Sequence, residues 1–183
     1  MEQHEKNMFT ASTSVQSDRI LYTASSFAKS NLLYLQEIGS LTALAPHTSR
    51  REKLLSCLCF VVLEGSGQLA YENRMYPLKT GDVVFIDCHK PYSHSTAVED
   101  LWSLQWCHFY GITVQAIYAK YRERGGEPVI HPKDVSHYKN LLAELYGVAN
   151  TDDHVRDMRI HEKLSSLLTY LMSESWHPEK HRT

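Results

Sequence analysis

The spacing of apolar positions changes near residue 112. Between about residues 19 and 111 they form short runs cut by turn signals, which predicts a β unit. The clearest run, residues 58–63, is apolar at both parities: Leu58, Phe60 and Val62 on one face, Cys59, Val61 and Leu63 on the other. Alternate side chains of a strand point to opposite faces, so this strand is expected to be covered on both sides. Gly65-Ser66-Gly67 ends it, and further short strands are expected at 68–71, 75–78, 83–86 and 101–109. Glu72-Asn73-Arg74 and Lys79-Thr80-Gly81-Asp82 supply turns between them. Strands this short, with turns about every 8–12 residues, predict a sandwich or barrel.

From Ile112 onward the period is helical. A first helix runs from Ile112 to a stop at Gly125-Gly126. A second opens at Pro132-Lys133-Asp134 with a stripe of Val135, Tyr138, Leu141, Leu142, Leu145 and Tyr146. A third begins near Thr151-Asp152-Asp153, where acidic side chains suit the positive end of a helix. Its stripe is Ile160, Leu164, Leu167, Leu168, Leu171 and Met172. Two partners fit that stripe, the chain's own β unit or the same helix of a second chain, and amphipathicity alone does not choose between them. The polar first 18 residues read as a mobile arm, and 177–183 as the start of a linker.

Composition narrows the function classes. With 183 residues, 43% hydrophobic and 22% charged, the chain can build one core. Nineteen basic against 21 acidic residues leave −2, which argues against a surface built to hold a phosphate backbone. No apolar stretch approaches the roughly 20 residues of a membrane span, and the N-terminus lacks the apolar core of a secretory signal. The expectation is a cytoplasmic protein whose Cys57, Cys59, Cys88 and Cys107 stay reduced. The serine-elbow, phosphate-loop and His-Glu-x-x-His patterns do not occur, so no catalytic residue is assigned.

Residues 62–67, Val-Leu-Glu-Gly-Ser-Gly, followed by 76–86, Tyr-Pro-Leu-Lys-Thr-Gly-Asp-Val-Val-Phe-Ile, resemble a cupin core. Residues 102–111, ending Trp106-Cys107-His108-Phe109-Tyr110-Gly111, resemble the Trp-x-His-Phe-x-Gly segment of N-terminal sensor domains in AraC-family transcription regulators. The resemblance covers about 48–111 by motif, and extends to about 175 by the order of strands and helices. It implies a mainly β fold with helices: a cupin jelly-roll β-barrel over 19–111 followed by a helical dimerisation region over 112–176. It also implies a small-molecule effector inside the barrel, possible sugars or other metabolites included, and a homodimer paired through Ile160, Leu164, Leu167, Leu168 and Leu171. DNA is then reached only through a C-terminal helix-turn-helix domain. The chain ends at Thr183 without such a sequence, so the expectation is a sensing and dimerisation fragment.

Metal cupins resemble one another in a His-x-His…Glu motif and a later His. Here the corresponding positions fall near Arg51 and Lys53, on Leu58 and on Tyr92. Leucine offers no donor and cations repel a metal ion, so no metal and no cofactor is expected. His89, His94 and His108, or the four cysteines, are weaker alternatives that lack ligand spacing.

Comparison with sugar-responsive members of the family brings Arg50, His94 and Trp106 onto effector-contacting positions, and alternation adds Tyr92 beside His94. Trp106 offers a flat apolar face, Arg50 a fork of donors, and His94 a group that donates or accepts. Each has a plainer reading as well: Trp106 as barrel filling, Arg50 or Arg51 as a solvated edge charge. The other function classes are a stand-alone cupin enzyme and a non-catalytic cupin that only mediates association.

Overall fold

The computed structural model describes residues 7–11 and 14–176. Two antiparallel sheets face each other. In chain order, β1 (Asn7–Ala11), β2 (Val15–Leu21) and β3 (Tyr34–Ala43) open the larger sheet, with a short helix α1 (Ser26–Asn31) between β2 and β3. The strands β4 (Thr48–Arg51), β6 (Ser66–Tyr71), β7 (Arg74–Lys79) and β9 (Tyr92–Thr96) make the smaller sheet, in the order β4-β9-β6-β7. The larger sheet is completed by β5 (Cys57–Glu64), β8 (Val83–Asp87), β10 (Ser103–Tyr110) and β11 (Val129–Ile130). Its order is β1-β2-β3-β10-β5-β8-β11. This is the expected jelly-roll, built of two facing sheets that are not hydrogen-bonded into one closed ring.

Alternation along β5 sorts the core as its sequence predicts. Leu58, Phe60 and Val62 join the cluster between the sheets, with Leu69, Tyr71, Val84, Ile86, Tyr92 and Trp102. Cys57, Cys59 and Val61 join a second cluster on the opposite side of the sheet. That side is covered by α3 (Ser136–Ala149) and α4 (Arg156–Glu174), while α2 (Val114–Glu123) adds Val114, Tyr118 and Tyr121. All four cysteines are buried free thiols; burial pushes Cys59 up to about 12.

Two local features fix the smaller sheet. Glu72 and Asn73 both have positive φ (51° and 59°), the conformation that a two-residue hairpin turn between β6 and β7 demands. Gly67 lies under the ring of Trp102: a Cβ there would come within 2.3 Å of the indole. Trp102 also donates its backbone N–H to Thr96 Oγ1 at 3.0 Å, which plugs this end of the sandwich.

The first 18 residues do not form a loose arm where they are described. Residues 7–11 and 15–21 pair as strands in register, Phe9 opposite Asp18. Their backbone hydrogen bonds extend the edge of the larger sheet, an outcome that side-chain polarity does not forbid. The segment 112–176 is likewise not wholly helical, because Val129 and Ile130 pair with Val84 and Val83. The 177–183 linker assignment lies outside the described residues.

The stripe of the last helix finds its partner within the chain. Ile160, Leu164, Leu167, Leu168 and Leu171 are each at most 5% exposed and belong to the helix-side cluster with Leu142, Leu145 and Ile38. These five side chains therefore fill the chain's own core, and the assignment of this stripe to a dimer contact is corrected. Burying apolar side chains at roughly 1.5–3 kcal/mol each makes α4 a principal source of stability.

Candidate functional site in the cleft between the sheets

The inner faces of the sheets are apolar at one end and polar at the other. At the apolar end, Phe60 and Trp102 lie edge-on with ring centroids 6.3 Å apart. His94 sits among them on β9, its ring centroid 5.3 Å from Phe60, 5.8 Å from Trp102 and 6.3 Å from Tyr92. Tyr92 is buried and Trp106 half-buried against the same cluster. Three of the four expected effector residues, Tyr92, His94 and Trp106, are thus on the inner surface.

Arg50 is not. In β4 it stands opposite Ser93, whereas Arg51 stands opposite the buried Tyr92 and Ser49 opposite His94. Side chains opposite one another share a face, so Arg50 points to the outer surface of the small sheet and Arg51 toward the cleft. Arg50 lines a shallow outer groove with Arg74, Met75 and Ser93. Arg51 instead lines the mouth of the cleft, a cavity of about 300 Å³, with Gln36, Glu37, Leu54, Ser56 and His108.

Three further groups come from strands whose register the sequence does not reveal. Gly39 is opposite both Trp106 and Arg19, which carries Arg19 onto the inner face. Arg19 Nη1 lies 3.5 Å from Glu37 Oε1, and Glu37 is opposite His108. A bulge at Gln36 shifts the β3–β10 register after His108, and the freed Gln36 side chain donates to Leu55 O at 2.9 Å.

The polar atoms of this surface are unevenly satisfied. His108 Nδ1 shares a hydrogen bond with Ser56 Oγ at 3.1 Å. His94 Nδ1 and Arg19 Nε are shut from solvent and have no hydrogen-bond partner among the described residues. Buried polar atoms are normally paired, so such atoms mark a place completed by something else. Burial first, then the neighbouring His47, His108 and Arg51, hold His94 down to about 4. Burial and then Arg51 hold His108 down to about 4 as well, so both rings are neutral near pH 7.

The donor set does not fit a divalent cation. Of the metal-cupin positions, Leu58 is core, Tyr92 is a buried phenol whose titration burial pushes up, and Arg51 is a cation. Among the described residues no group of three His, Cys, Asp or Glu side chains is placed to share a metal ion. The chemistry is that of a recognition cleft: an apolar wall, an imidazole, a guanidinium at the mouth and buried polar atoms left unpaired among the described residues.

Among comparisons with known proteins, a family model carries the assignment. Residues 43–168 match the family model of the AraC-like ligand binding domain. No curated protein matches the chain. Solved structures similar in fold include the AraC-like transcriptional activator CuxR, at 14% identity and TM-score 0.47, over 85% of this chain and 56% of that one. A cupin 2 conserved barrel domain protein from Leptotrichia buccalis matches at 19% and 0.42, over 56% of this chain and 43% of its own. A predicted oxalate decarboxylase from Thermotoga maritima matches at 14% and 0.40, over 52% and 81%. The chain spans about half the length of the first two. No described helix is long and apolar enough to cross a membrane. The family match extends over well more than half of the sequence, from the end of β3 into α4: the chain belongs to the AraC-like ligand binding domain family.

Proposed function

We propose that this chain is the effector-sensing part of a transcription regulator, holding a small organic molecule between its two sheets. The observation that carries the reading is His94 Nδ1, shut from solvent and unpartnered among the described residues, within the ring cluster of Phe60 and Trp102, with Trp106 opposite Phe60. Arg19 Nε, across Gly39 from Trp106, is likewise unpaired among the described residues. An occupant that supplies an acceptor to Arg19 Nε, hydrogen-bonds His94 Nδ1 in whichever sense its tautomer sets and stacks on Trp106 satisfies these needs at once. The role is binding rather than turnover, and DNA contact belongs to a region beyond this chain.

A route out of the cleft supports the relay. Tyr71 belongs to the inner cluster, and its hydroxyl donates to Asp87 O at 3.1 Å and lies 3.2 Å from the Tyr118 hydroxyl on α2. Arg122 Nη1 donates to Tyr118 Oη at 3.3 Å and to Glu72 Oε1 at 2.7 Å. These hydrogen bonds join the hairpin of the small sheet to the helical layer. Occupancy of the cleft then biases the helices by whatever difference in affinity the two arrangements offer.

Thermal denaturation against sugars, aromatic acids and small metabolites tests the reading. A ligand of the folded state raises the melting temperature by mass action. One compound class is expected to stabilise the wild type, with affinity falling at least tenfold in Trp106→Ala and unchanged in Arg50→Ala. Equal stabilisation of wild type and Trp106→Ala, or none by any compound, overturns it.

A further inference from the structure

Resting on that reading, we infer that the occupant of the cleft is a small organic monocarboxylate, its anionic end on the guanidinium side formed by Arg51 and Arg19 and its body against Trp106. The charges facing this space can be counted element by element. Arg19 comes from β2, Glu37 from β3, Arg51 from β4, His94 and Tyr92 from β9 and His108 from β10; His47 precedes β4 and Cys88 follows β8. Tyr92 and Cys88 are held protonated by burial. The three histidines include two held neutral, so the fixed charges are two guanidinium groups and one carboxylate.

Glu37 is committed to Arg19, at 3.5 Å. Among the described residues Arg51 has no carboxylate partner, although it stands at the rim of a partly apolar cavity. One positive charge is therefore unbalanced where an occupant enters. Its field reaches inward, because Arg51 contributes to the suppression of protonation at both His94 and His108. A planar guanidinium matches a carboxylate with two parallel hydrogen bonds, whereas a neutral hydroxyl uses only one of them. The cavity at Arg51, about 300 Å³ and lined also by Gln36, Glu37, Leu54, Leu55, Ser56 and His108, is at the small end of ligand sites. An occupant that reaches Trp106 from it runs along β10 past His108, so the body is restricted to roughly one ring or a short chain. The single unbalanced charge, set beside Leu54, Leu55 and His108 and facing the Glu37 carboxylate, favours one carboxylate over a phosphate ester or a polyanion.

Matched pairs that differ only in charge test this: benzoate against benzamide, galacturonate against galactose, and hexanoate against hexanamide. Melting temperatures are read for wild type, Arg51→Gln and Arg51→Lys, with each variant's ligand-free melting temperature as its own reference. In at least one pair the acid is expected to stabilise the wild type while its neutral partner does not. Arg51→Gln should lower that affinity at least tenfold, and Arg51→Lys should recover part of it. Equal binding of acid and neutral partner, or full acid binding in Arg51→Gln, overturns the charge assignment while leaving a sensing cleft. If no acid binds but a neutral compound of the wider panel does, the same conclusion follows. If nothing binds in either series, both the charge assignment and the sensing reading fall.

Discussion

The two faces of the larger sheet are built from the same strands by the same alternation, yet they end differently. On the helix side, Cys57, Cys59, Val61, Phe85 and Phe109 meet Leu142, Leu145, Leu164 and Leu171, and polar tips find partners inside the chain. Tyr121 donates to Glu127 O, Tyr22 donates to Asp157 at 2.6 Å, and only Tyr138 Oη is left without a partner among the described residues of that side. On the cleft side, equally apolar strand positions share their surface with Arg19, Arg51, His94 and His108. The first face is closed by packing and supplies stability. The second keeps donors and a charge in hand, as a face does when its complement arrives from outside.

Substitutions can break this contrast. The largest effect is expected on the helix side: Leu164→Ala removes a fully buried side chain and should cost about 2–5 kcal/mol in urea unfolding. Ligand affinity at the cleft should stay within twofold in that variant, and a tenfold loss would show that the faces are not separable.

A smaller effect separates them by pH. The folded-state values of His94 and His108 are about 4, against about 6.5 for an ordinary imidazole. The unfolded chain therefore binds more protons between those values, and stability should fall as pH drops from about 6.5 toward 4, with no further loss from these groups below that. In His94→Gln/His108→Gln this part of the pH dependence should flatten. An unchanged slope of melting temperature against pH would mean that the rings are not held neutral in the fold.

The contrast also explains what the sequence could and could not tell. The alternation of residues 58–63 made the two-sided burial of β5 readable, because both parities carry large apolar groups. The last two helices were readable from their stripes, and the one before them from its glycine stop, but a stripe does not say whose surface it meets, and the α4 leucines meet their own sheet. Polar strands were the hard case. β1, β2, β4 and β9 are held by backbone pairing, and 48–51, Thr-Ser-Arg-Arg, has no apolar residue to fix a face. Hence Arg50 and Arg51 could not be told apart by pattern: only the register with Ser93 and Tyr92 assigns one to each side. Arg19 and Glu37 were invisible for the same reason, since their meeting depends on how β2 and β3 align across Gly39. Tyr92, His94 and Trp106 were within reach because the motif around 102–111 and the strand period place them without long-range register.

Histidine-resolved NMR reads the central claim directly, because rings inside the cleft and outside it report separately. On addition of a stabilising compound, the ring resonances of His94 and His108 should shift together in a saturable way. Those of His137 and His154, which lie on the exposed surface of the helical layer, should stay in place. Shifts confined to the exposed histidines, or saturation with His94 and His108 unmoved, would contradict an occupant between the sheets.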